Sequence, residues 1–285
     1  MKGKKWLSAA LVLGLMLTMV CCIILGMGLP TTSAYVIAAA ILAPEEILLS
    51  NRTFAKAEAL ASQLGCKAVS VEETAAKSMY IFLGVKPQMM AGLLGDIAPI
   101  LAKRGDRFIL VSMAAGLSMA DIQAMAGKNY PVIRIMPNTP TAIGKGVIQY
   151  CCNDLVEEAV LADWLQDMAP CGLLDRLEER LIDAASAISG SGPAYMYMFL
   201  EALADGAVAC GIPRAQAYRY AAMTMVGAAE MVLQTGQHPG ALKDAVCSPM
   251  GSTICGVRAL EEGGLRAAAM NCVIATYERN LEMGK

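Results

Sequence analysis

The sequence predicts an α/β domain built on a parallel sheet, followed by an all-helical domain. Two observations support this order. From Pro44 to about residue 180, short apolar runs typical of buried strands alternate with helical patterns. Beyond about Leu181 the strand patterns stop, and long helical patterns rich in Ala and Met follow one another. With a hydrophobic segment in front, the predicted domains are residues 1–44, 45–180 and 181–285.

The composition excludes several classes of function. The chain has 285 residues and a net charge of −2, and its Lys and Arg residues are scattered, so we expect no nucleic-acid partner. The single histidine, His238, excludes a His-rich metal site, and we expect no metal. The ten cysteines form no C-x-x-C pair and no disulfide pattern, which predicts free thiols in a reducing, cytoplasmic compartment.

The first 44 residues support two interpretations. No charged residue occurs from Trp6 to Pro44, and residues 6–29 follow three lysines and are long enough to span a bilayer. This interpretation predicts membrane contact through residues 6–29 and a membrane-tethered protein as the alternative to a cytoplasmic one. The same segment also fits the opening of a dinucleotide-binding, Rossmann-like fold.

In the second interpretation, residues 19–25 form a buried parallel strand. Gly26 and Gly28 make the turn after it, and Pro30 begins a helix. Thr31 stands where the third glycine of G-x-G-x-x-G belongs, so the first βα unit is atypical. The pattern alone does not decide between a membrane helix and this strand.

The α/β region that follows can be divided into elements. The predicted strands are residues 47–49, 68–71, 79–83, 107–112 and 132–135, and the predicted helices are residues 54–64, 72–78, 89–101 and 119–126. Ligands of parallel sheets bind at the carboxyl ends of the strands. The residues at those ends are Asn51, Arg52, Lys86, Gly116 and Asn138.

The residues after the second strand indicate which cofactor is bound. NAD-binding folds place an acidic residue there to bind the ribose 2′-hydroxyl, whereas this chain has Asn51 followed by Arg52. An arginine is suited to a 2′-phosphate. We therefore expect NADPH, with NADH as the alternative; an ordinary solvated loop arginine also fits this motif when it is considered alone.

The helical region carries few charges for its length. The first long predicted helix ends near Cys210, and the later ones span residues 214–235, 241–246, 254–262 and 265–282. Such apolar helices need a cover, and a second copy of the chain is the simplest one, which predicts a homodimer or higher homo-oligomer. His238 precedes Pro239 and Gly240 and is expected to be a loop or capping residue rather than a catalytic base.

A turn near the end of the chain has the composition of an anion site. Residues 247–254 contain Pro249 and Gly251, and the hydroxyl residues Ser252 and Thr253 stand where a helical pattern resumes. Free N–H groups at a helix start bind carboxylates and phosphates. An ordinary capped helix start is the competing interpretation.

Six motifs occur in a fixed order along the chain, at residues 50–53, 85–88, 112–116, 134–140, 189–195 and 238–253. Together they resemble the pyrroline-5-carboxylate reductase family, from about Pro44 to the C-terminus. That family reduces 1-pyrroline-5-carboxylate to L-proline with NADPH, the last step of proline biosynthesis, and its members dimerise through the helical domain. Residues 25–44 instead resemble a membrane segment of the large permease subunit of TRAP-type transporters.

The resemblance to the reductases implies a role for each motif. Asn51 and Arg52 would hold the adenosine ribose and its 2′-phosphate. Gly251, Ser252 and Thr253 would bind the substrate carboxylate, and Thr253 or an ordered water would be the general acid. The residues that would line the nicotinamide end are Lys86, Pro87, Ala115, Gly116 and Asn138.

Two departures from the family pattern define a rival hypothesis. The family has glycine where Met250 stands, and the glycine-rich loop is reduced to Gly26 and Gly28. If these two glycines cannot rebuild the pyrophosphate site, the chain would be a membrane-anchored or inactive dimeric homologue.

Overall fold

The structure is a computed structural model that describes residues 21–25 and 44–283. Of the described residues, those up to Gly190 together with those from Asn280 onward form one compact unit, and Ser191–Arg279 form another. We call these the sheet unit and the helical unit. The division falls slightly later in the chain than the boundary expected between residues 180 and 181.

One mixed sheet organises the sheet unit. Its spatial strand order is β3-β2-β1-β4-β5-β6-β7-β8, and every neighbouring pair is parallel except β6 and β7. The strands are β1 (Cys21–Leu25), β2 (Ile47–Asn51), β3 (Lys67–Ala68), β4 (Tyr80–Gly84), β5 (Ile109–Ser112), β6 (Val132–Met136), β7 (Gly146–Cys152) and β8 (Gly172–Arg176). The first six strands follow the order of a doubly wound dinucleotide-binding fold. The predicted fold class is therefore confirmed.

The strand β1 lies within the N-terminal segment for which a membrane helix and a buried strand were both considered. It pairs in parallel with β2 on one side and with β4 on the other, so its backbone is hydrogen-bonded along both edges. A single membrane helix through all of residues 6–29 is incompatible with this strand. The predicted strand over residues 19–25 is confirmed for Cys21–Leu25. Gly26, Gly28 and Pro30 lie outside the described residues.

Within the described residues, five α-helices connect the strands of the sheet unit, and a sixth follows β8. They are α1 (Phe54–Leu64), α2 (Val71–Lys77), α3 (Pro87–Leu101), α4 (Met119–Ala126), α5 (Glu158–Met168) and α6 (Ile182–Ser189). The bounds predicted for α1 and α4 are confirmed. Both helices end at a left-handed glycine, with φ of 75° at Gly65 and at Gly127, which makes their ends readable from sequence.

Two expectations about this unit need correction. The strand expected over residues 68–71 is shorter, because the side chain of Ser70 accepts a hydrogen bond from the Glu73 N–H and starts α2 instead. The sequence interpretation also placed no elements between residues 140 and 181, where the structure has β7, α5 and β8. The two strands are hard to recognise because Gln149 interrupts the apolar run of β7 and because β8 ends with the charged Asp175 and Arg176.

Both faces of the sheet are covered. Alternate side chains of β4 enter different apolar clusters: Tyr80 and Phe82 pack with α5 residues such as Trp164, whereas Ile81 and Leu83 pack with α3 residues such as Met90. Parallel sheets covered on both faces are typical of α/β proteins. The sheet unit therefore has a complete core of its own, which fixes the loops at its carboxyl edge.

The helical unit contains α7 (Gly192–Ala209), α8 (Arg214–Thr235), α9 (Pro239–Val246), α10 (Ser252–Glu262) and most of α11 (Leu265–Met283). The bounds predicted for α8 are confirmed. Helices α7 and α8 pack against each other. Within the described part of the chain, none of the helices combines the length and apolar composition needed to cross a bilayer.

Candidate active site

The carboxyl ends of four parallel strands meet at one edge of the sheet unit. Leu25 is in register with Asn51 on one side and with Gly84 on the other. Leu83 is in register with Ser112. The strand order reverses at β1, so the topological switch point, where ligands of this fold bind, lies at the carboxyl ends of β1 and β4. Among the described residues predicted to bind the cofactor, Asn138 follows β6, and the others lie at the ends of β2, β4 and β5.

Asn51 is the last residue of β2, and its side chain is buried. Its Oδ1 atom accepts a hydrogen bond of 2.9 Å from the backbone N–H of Thr53, which fixes the turn after the strand. Arg52 lies in that turn and is exposed. The turn therefore presents the guanidinium group to solvent at the carboxyl edge, as binding of a 2′-phosphate requires.

The loop after β4 leads into the N-terminus of a long helix. Lys86 is the N-cap residue of α3, and Pro87 occupies its first turn. No side chain caps this helix. Pro87 has no N–H group, and the Met89 N–H donates to the Lys86 carbonyl at 2.9 Å, so the helix offers its positive N-terminal end rather than a row of free donors. Helix N-termini attract negative charge. This arrangement fits a dinucleotide lying along the edge.

The loop after β5 contains Ala115 and Gly116. Gly116 has a φ of 73°, a conformation in which most side chains are strained, so the turn depends on glycine there. The following Ser118 forms a capping box with Asp121 at the start of α4. Hydrogen bonds from the Ser118 side chain and backbone lower the pKa of the Asp121 carboxyl. The loop is thus held at its far end by the cap of α4.

The structure shows Asn138 in a bridging position. Its Nδ2 atom donates to the Ser189 carbonyl at 3.0 Å, and its Oδ1 atom accepts from the Val147 N–H at 3.0 Å. The amide therefore ties the loop after β6 to the end of α6 and to β7. A role of Asn138 at the nicotinamide end stays a prediction, and its carbonyl oxygen is already used within the unit.

Two buried thiols of this unit are unsuited to act as nucleophiles. Burial raises the pKa of Cys151 to about 11 and that of Cys171 to about 11. Both groups stay protonated near neutral pH, and a protonated thiol is a poor nucleophile. They pack as small apolar side chains.

The predicted substrate-binding residues begin a helix in the helical unit. Gly251 is the N-cap residue of α10, and Ser252 and Thr253 are its first two residues. No side chain caps the helix, and both hydroxyl residues are exposed. A Cβ atom on Gly251 would lie 2.4 Å from the Oγ atom of Ser248 and 3.0 Å from its carbonyl oxygen, so any other residue would force Ser248 to move. The result is an open cluster of N–H and hydroxyl donors at a helix N-terminus.

Met250 has the backbone conformation of a glycine. Its φ is 60°, and it is the non-glycine residue with positive φ in the described part of the chain. Its side chain is 100% exposed. The family pattern has glycine at this position, and a left-handed backbone, which favours glycine, is the physical reason. The methionine therefore strains the turn and projects into solvent beside the donor cluster.

The expectation that His238 is a capping residue is confirmed. It is the N-cap of α9, and its Nδ1 atom accepts a hydrogen bond of 3.0 Å from the Gly240 N–H. The ring nitrogen that would act as a base is engaged by the backbone.

Comparisons with known proteins agree with this geometry. Residues 179–283 match the family model "Pyrroline-5-carboxylate reductase dimerisation", and residues 23–116 match "NADP oxidoreductase coenzyme F420-dependent". The chain is 41% identical over 243 residues to the pyrroline-5-carboxylate reductase of Escherichia coli, an alignment that covers 85% of this chain and 89% of the relative. The chain belongs to the pyrroline-5-carboxylate reductase family. A relative from Arabidopsis thaliana is 38% identical over 253 residues, with 88% of this chain and 90% of the relative covered.

Solved structures of family members have the same fold. The Plasmodium falciparum pyrroline carboxylate reductase with NADP bound superimposes with a TM-score of 0.82 at 30% identity, covering 93% of this chain and 98% of that one. The Streptococcus pyogenes 1-pyrroline-5-carboxylate reductase gives a TM-score of 0.81 at 29% identity, covering 93% of this chain and 98% of that one. The family match therefore extends over both units.

Sequence reasoning missed one group of charged residues beside the candidate site. Arg134, Glu179 and Asp183 form a partly buried ionic cluster next to the loop after β5. Arg134 was noted only as part of a motif, although a charge inside a buried strand requires a partner. Its partners are distant in the chain, so no spacing rule could have found them.

Proposed function

We propose that this protein is an NADPH-dependent reductase of 1-pyrroline-5-carboxylate, producing L-proline as the last step of proline biosynthesis. The observation that carries the proposal is the exposed Arg52 directly after Asn51 at the carboxyl end of β2, in a chain 41% identical to a curated pyrroline-5-carboxylate reductase. The rest of the site can be divided into a cofactor part in the sheet unit and a substrate part in the helical unit.

The cofactor part fits NADPH. Arg52 would pair with the 2′-phosphate through a charge-assisted hydrogen bond, while Asn51 would hold the ribose side of the turn. Lys86, Pro87, Ala115, Gly116 and Asn138 would shape the nicotinamide end, and Gly26 and Gly28 would approach the pyrophosphate. When bound, NADPH supplies the hydride that reduces the imine carbon. NADH is the weaker alternative, because it lacks the phosphate that Arg52 would bind.

The substrate part fits a small carboxylate. The backbone N–H groups at the start of α10, together with the hydroxyl group of Thr253, would bind the carboxylate of 1-pyrroline-5-carboxylate. The ring imine is already electrophilic, especially when protonated, so holding it in position supplies most of the catalysis. Thr253 is the candidate general acid, with an ordered water as the alternative donor of the proton to the ring nitrogen.

The helical unit supports a homodimer or a larger homo-oligomer. Its residues match the dimerisation model of the family, and its apolar side chains are widely exposed in the single chain. We infer that a second copy covers them.

The test is a direct assay of NADPH oxidation by the purified chain in the presence of 1-pyrroline-5-carboxylate, with proline formation measured in parallel. Turnover that depends on both ligands supports the proposal. No turnover at saturating cofactor would contradict it and favour the inactive homologue. The same assay with NADH measures the cofactor preference.

The rival proposal is a membrane-tethered location through the N-terminal segment. It rests on the apolar composition of residues 6–29 and on the resemblance of residues 25–44 to a transporter segment. None of the relatives named above is a transporter, the match to the NADP oxidoreductase model starts at residue 23, and Cys21–Leu25 form a strand. Fractionation of cells that express the full chain distinguishes the two: recovery in the membrane pellet after a salt wash favours the tether, and recovery in the supernatant favours a cytoplasmic enzyme.

A further inference from the structure

A buried arginine of the sheet unit lies one strand away from the loop that carries Ala115 and Gly116. Arg134 stands in the middle of β6, in register with Ser112 of β5, and its side chain is only 3% exposed. A guanidinium group in this position stays charged, so it needs negative partners nearby.

Two carboxylates meet this guanidinium group. The Nη2 atom of Arg134 donates to Oδ1 of Asp183 at 2.8 Å, and its Nη1 atom lies 3.6 Å from Oε1 of Glu179. The side chains of Asp183 and Glu179 are 20% and 30% exposed. The two acids come from the start of α6 and from the turn that precedes it.

The same two carboxylate oxygens also accept backbone N–H groups of the loop after β5. Oδ1 of Asp183 accepts from the Gly116 N–H at 3.4 Å, and Oε1 of Glu179 accepts from the Met119 N–H at 2.7 Å. Met119 is the first residue of α4, so Glu179 adds negative charge to that helix N-terminus. Gly116 inside the loop and Met119 directly after it are therefore bonded to acids that one buried arginine holds in place.

We propose that Arg134, Glu179 and Asp183 form a positioning clamp that holds the backbone of Gly116 in the geometry needed at the nicotinamide end of the cofactor. This inference rests on the proposed function, because that function places Ala115 and Gly116 beside the nicotinamide. None of the three side chains needs to touch the cofactor. They act through the backbone of the loop.

The turn at Gly116 has an unusual backbone conformation and few hydrogen bonds of its own. Gly116 has a φ of 73° and is a glycine, so its peptide unit is free to adopt other conformations unless an external group restrains it. The Asp183 carboxylate is such a group, and its charge is balanced by Arg134. Small displacements of groups that position a reacting ring have large effects on rate and affinity.

The test compares variants of Asp183 with a matched control in the same segment. Asp183→Ala removes the acceptor, whereas Asp183→Asn keeps an oxygen that can accept the Gly116 N–H. Arg180→Ala is the control, because Arg180 forms an exposed ion pair with Glu178 at 2.7 Å that has no contact with the loop. Each variant is titrated with NADPH and with adenosine 2′,5′-bisphosphate, which has no nicotinamide.

For Asp183→Ala we expect the dissociation constant for NADPH to rise about tenfold, because a charged acceptor is lost, while that for the bisphosphate changes by less than about twofold. Asp183→Asn should recover most of the NADPH affinity, and Arg180→Ala should match the wild type. Equal weakening of both ligands would indicate general damage and overturn the clamp, and so would no change in either.

These measurements need no turnover, so a chain that binds NADPH without reducing the substrate overturns the proposed function but still tests the clamp. If the wild type does not bind NADPH, amide hydrogen exchange of the free protein decides. Faster exchange of residues 113–119 in Asp183→Ala than in Arg180→Ala, with β4 unchanged, supports the clamp. Equal exchange in the two variants overturns it.

Discussion

The two units of this protein differ in how completely each buries its own apolar residues. In the sheet unit, strand residues such as Leu49, Ile81 and Val111 are fully buried, and helices cover both faces. In the helical unit, all of whose residues are described, the only buried residues are Ala204 and Ala217. Large apolar side chains such as those of Met223 and Leu233 are 69% and 81% exposed there.

This difference indicates what stabilises each unit. The central strands of a covered sheet gain their stability from within one chain, since their side chains are buried before any partner binds. A helical unit that leaves such side chains in water gains most of its stability from association, which makes that stability depend on protein concentration. The residues proposed to bind the cofactor thus lie on a unit with its own core, and those proposed to bind the substrate lie on a unit that we expect a second copy to complete.

The largest effect is expected from Trp164→Ala in the sheet unit. Trp164 is 1% exposed and packs edge-on against Tyr150, with ring centroids 5.7 Å apart. Its loss leaves a cavity and should lower the free energy of unfolding by about 3–5 kcal/mol. Amide hydrogen exchange in β4 and β5 measures this loss of stability within the sheet unit, and the loss should not depend on protein concentration. Trp164→Phe is the control with a smaller loss; a concentration-dependent loss would remove the distinction between the units.

The next effect is expected from the double substitution Met223→Arg and Val226→Arg on α8. These exposed residues are three positions apart and lie on one face of the helix. Burying two charges in a subunit interface should raise the dimer dissociation constant at least about 100-fold, which corresponds to about 3 kcal/mol of association free energy. Sedimentation over a dilution series measures it. Leu155→Arg, in the sheet unit and 48% exposed before substitution, is the control; an unchanged dimer in the double variant would show that another face associates.

A third comparison separates the ligands of the two units. Arg52→Gln should weaken NADPH binding about 10- to 30-fold, because a charged hydrogen bond to the 2′-phosphate is lost, and should leave NADH binding unchanged. Thr253→Val should weaken binding of the carboxylate substrate by a smaller factor, about 5- to 10-fold, and leave NADPH binding unchanged.

Separate titrations of each variant with cofactor and with L-proline, the reaction product, measure both effects. The assignment of cofactor to one unit and carboxylate to the other fails if either substitution weakens both ligands equally.

The smallest effect is expected from Met250→Gly in the helical unit. Glycine adopts the φ of 60° found at this position without strain, so the variant should be stabilised by about 0.5–1 kcal/mol. Met231→Gly, in the interior of α8 and 49% exposed before substitution, is the matched control and should be destabilised by about 1 kcal/mol. Thermal unfolding at one fixed protein concentration compares them. Equal destabilisation of both variants would mean that the turn tolerates methionine at no cost.

Local patterns predicted much of the fold. The bounds of α1, α4 and α8 could be read from sequence because helical periodicity ends at a glycine in each case, and a left-handed glycine is a local signal. The order of the family motifs predicted the cofactor turn at Asn51 and Arg52 and the donor cluster at Gly251. These features depend on residues that are close together in the chain.

By itself, then, the sequence determined the fold class, the family and the residues at the ends of the first strands, because each follows from short local patterns and from their order along the chain. Only the tertiary structure decided the rest. An apolar run such as residues 21–25 suits a membrane helix or a central strand equally, and its pairing with β2 and β4 identifies it. In the same way, Arg134 acquires its function from carboxylates more than forty residues away. Hydrogen-bond partners brought together by folding leave no trace in local spacing, which is why these two features had to be observed.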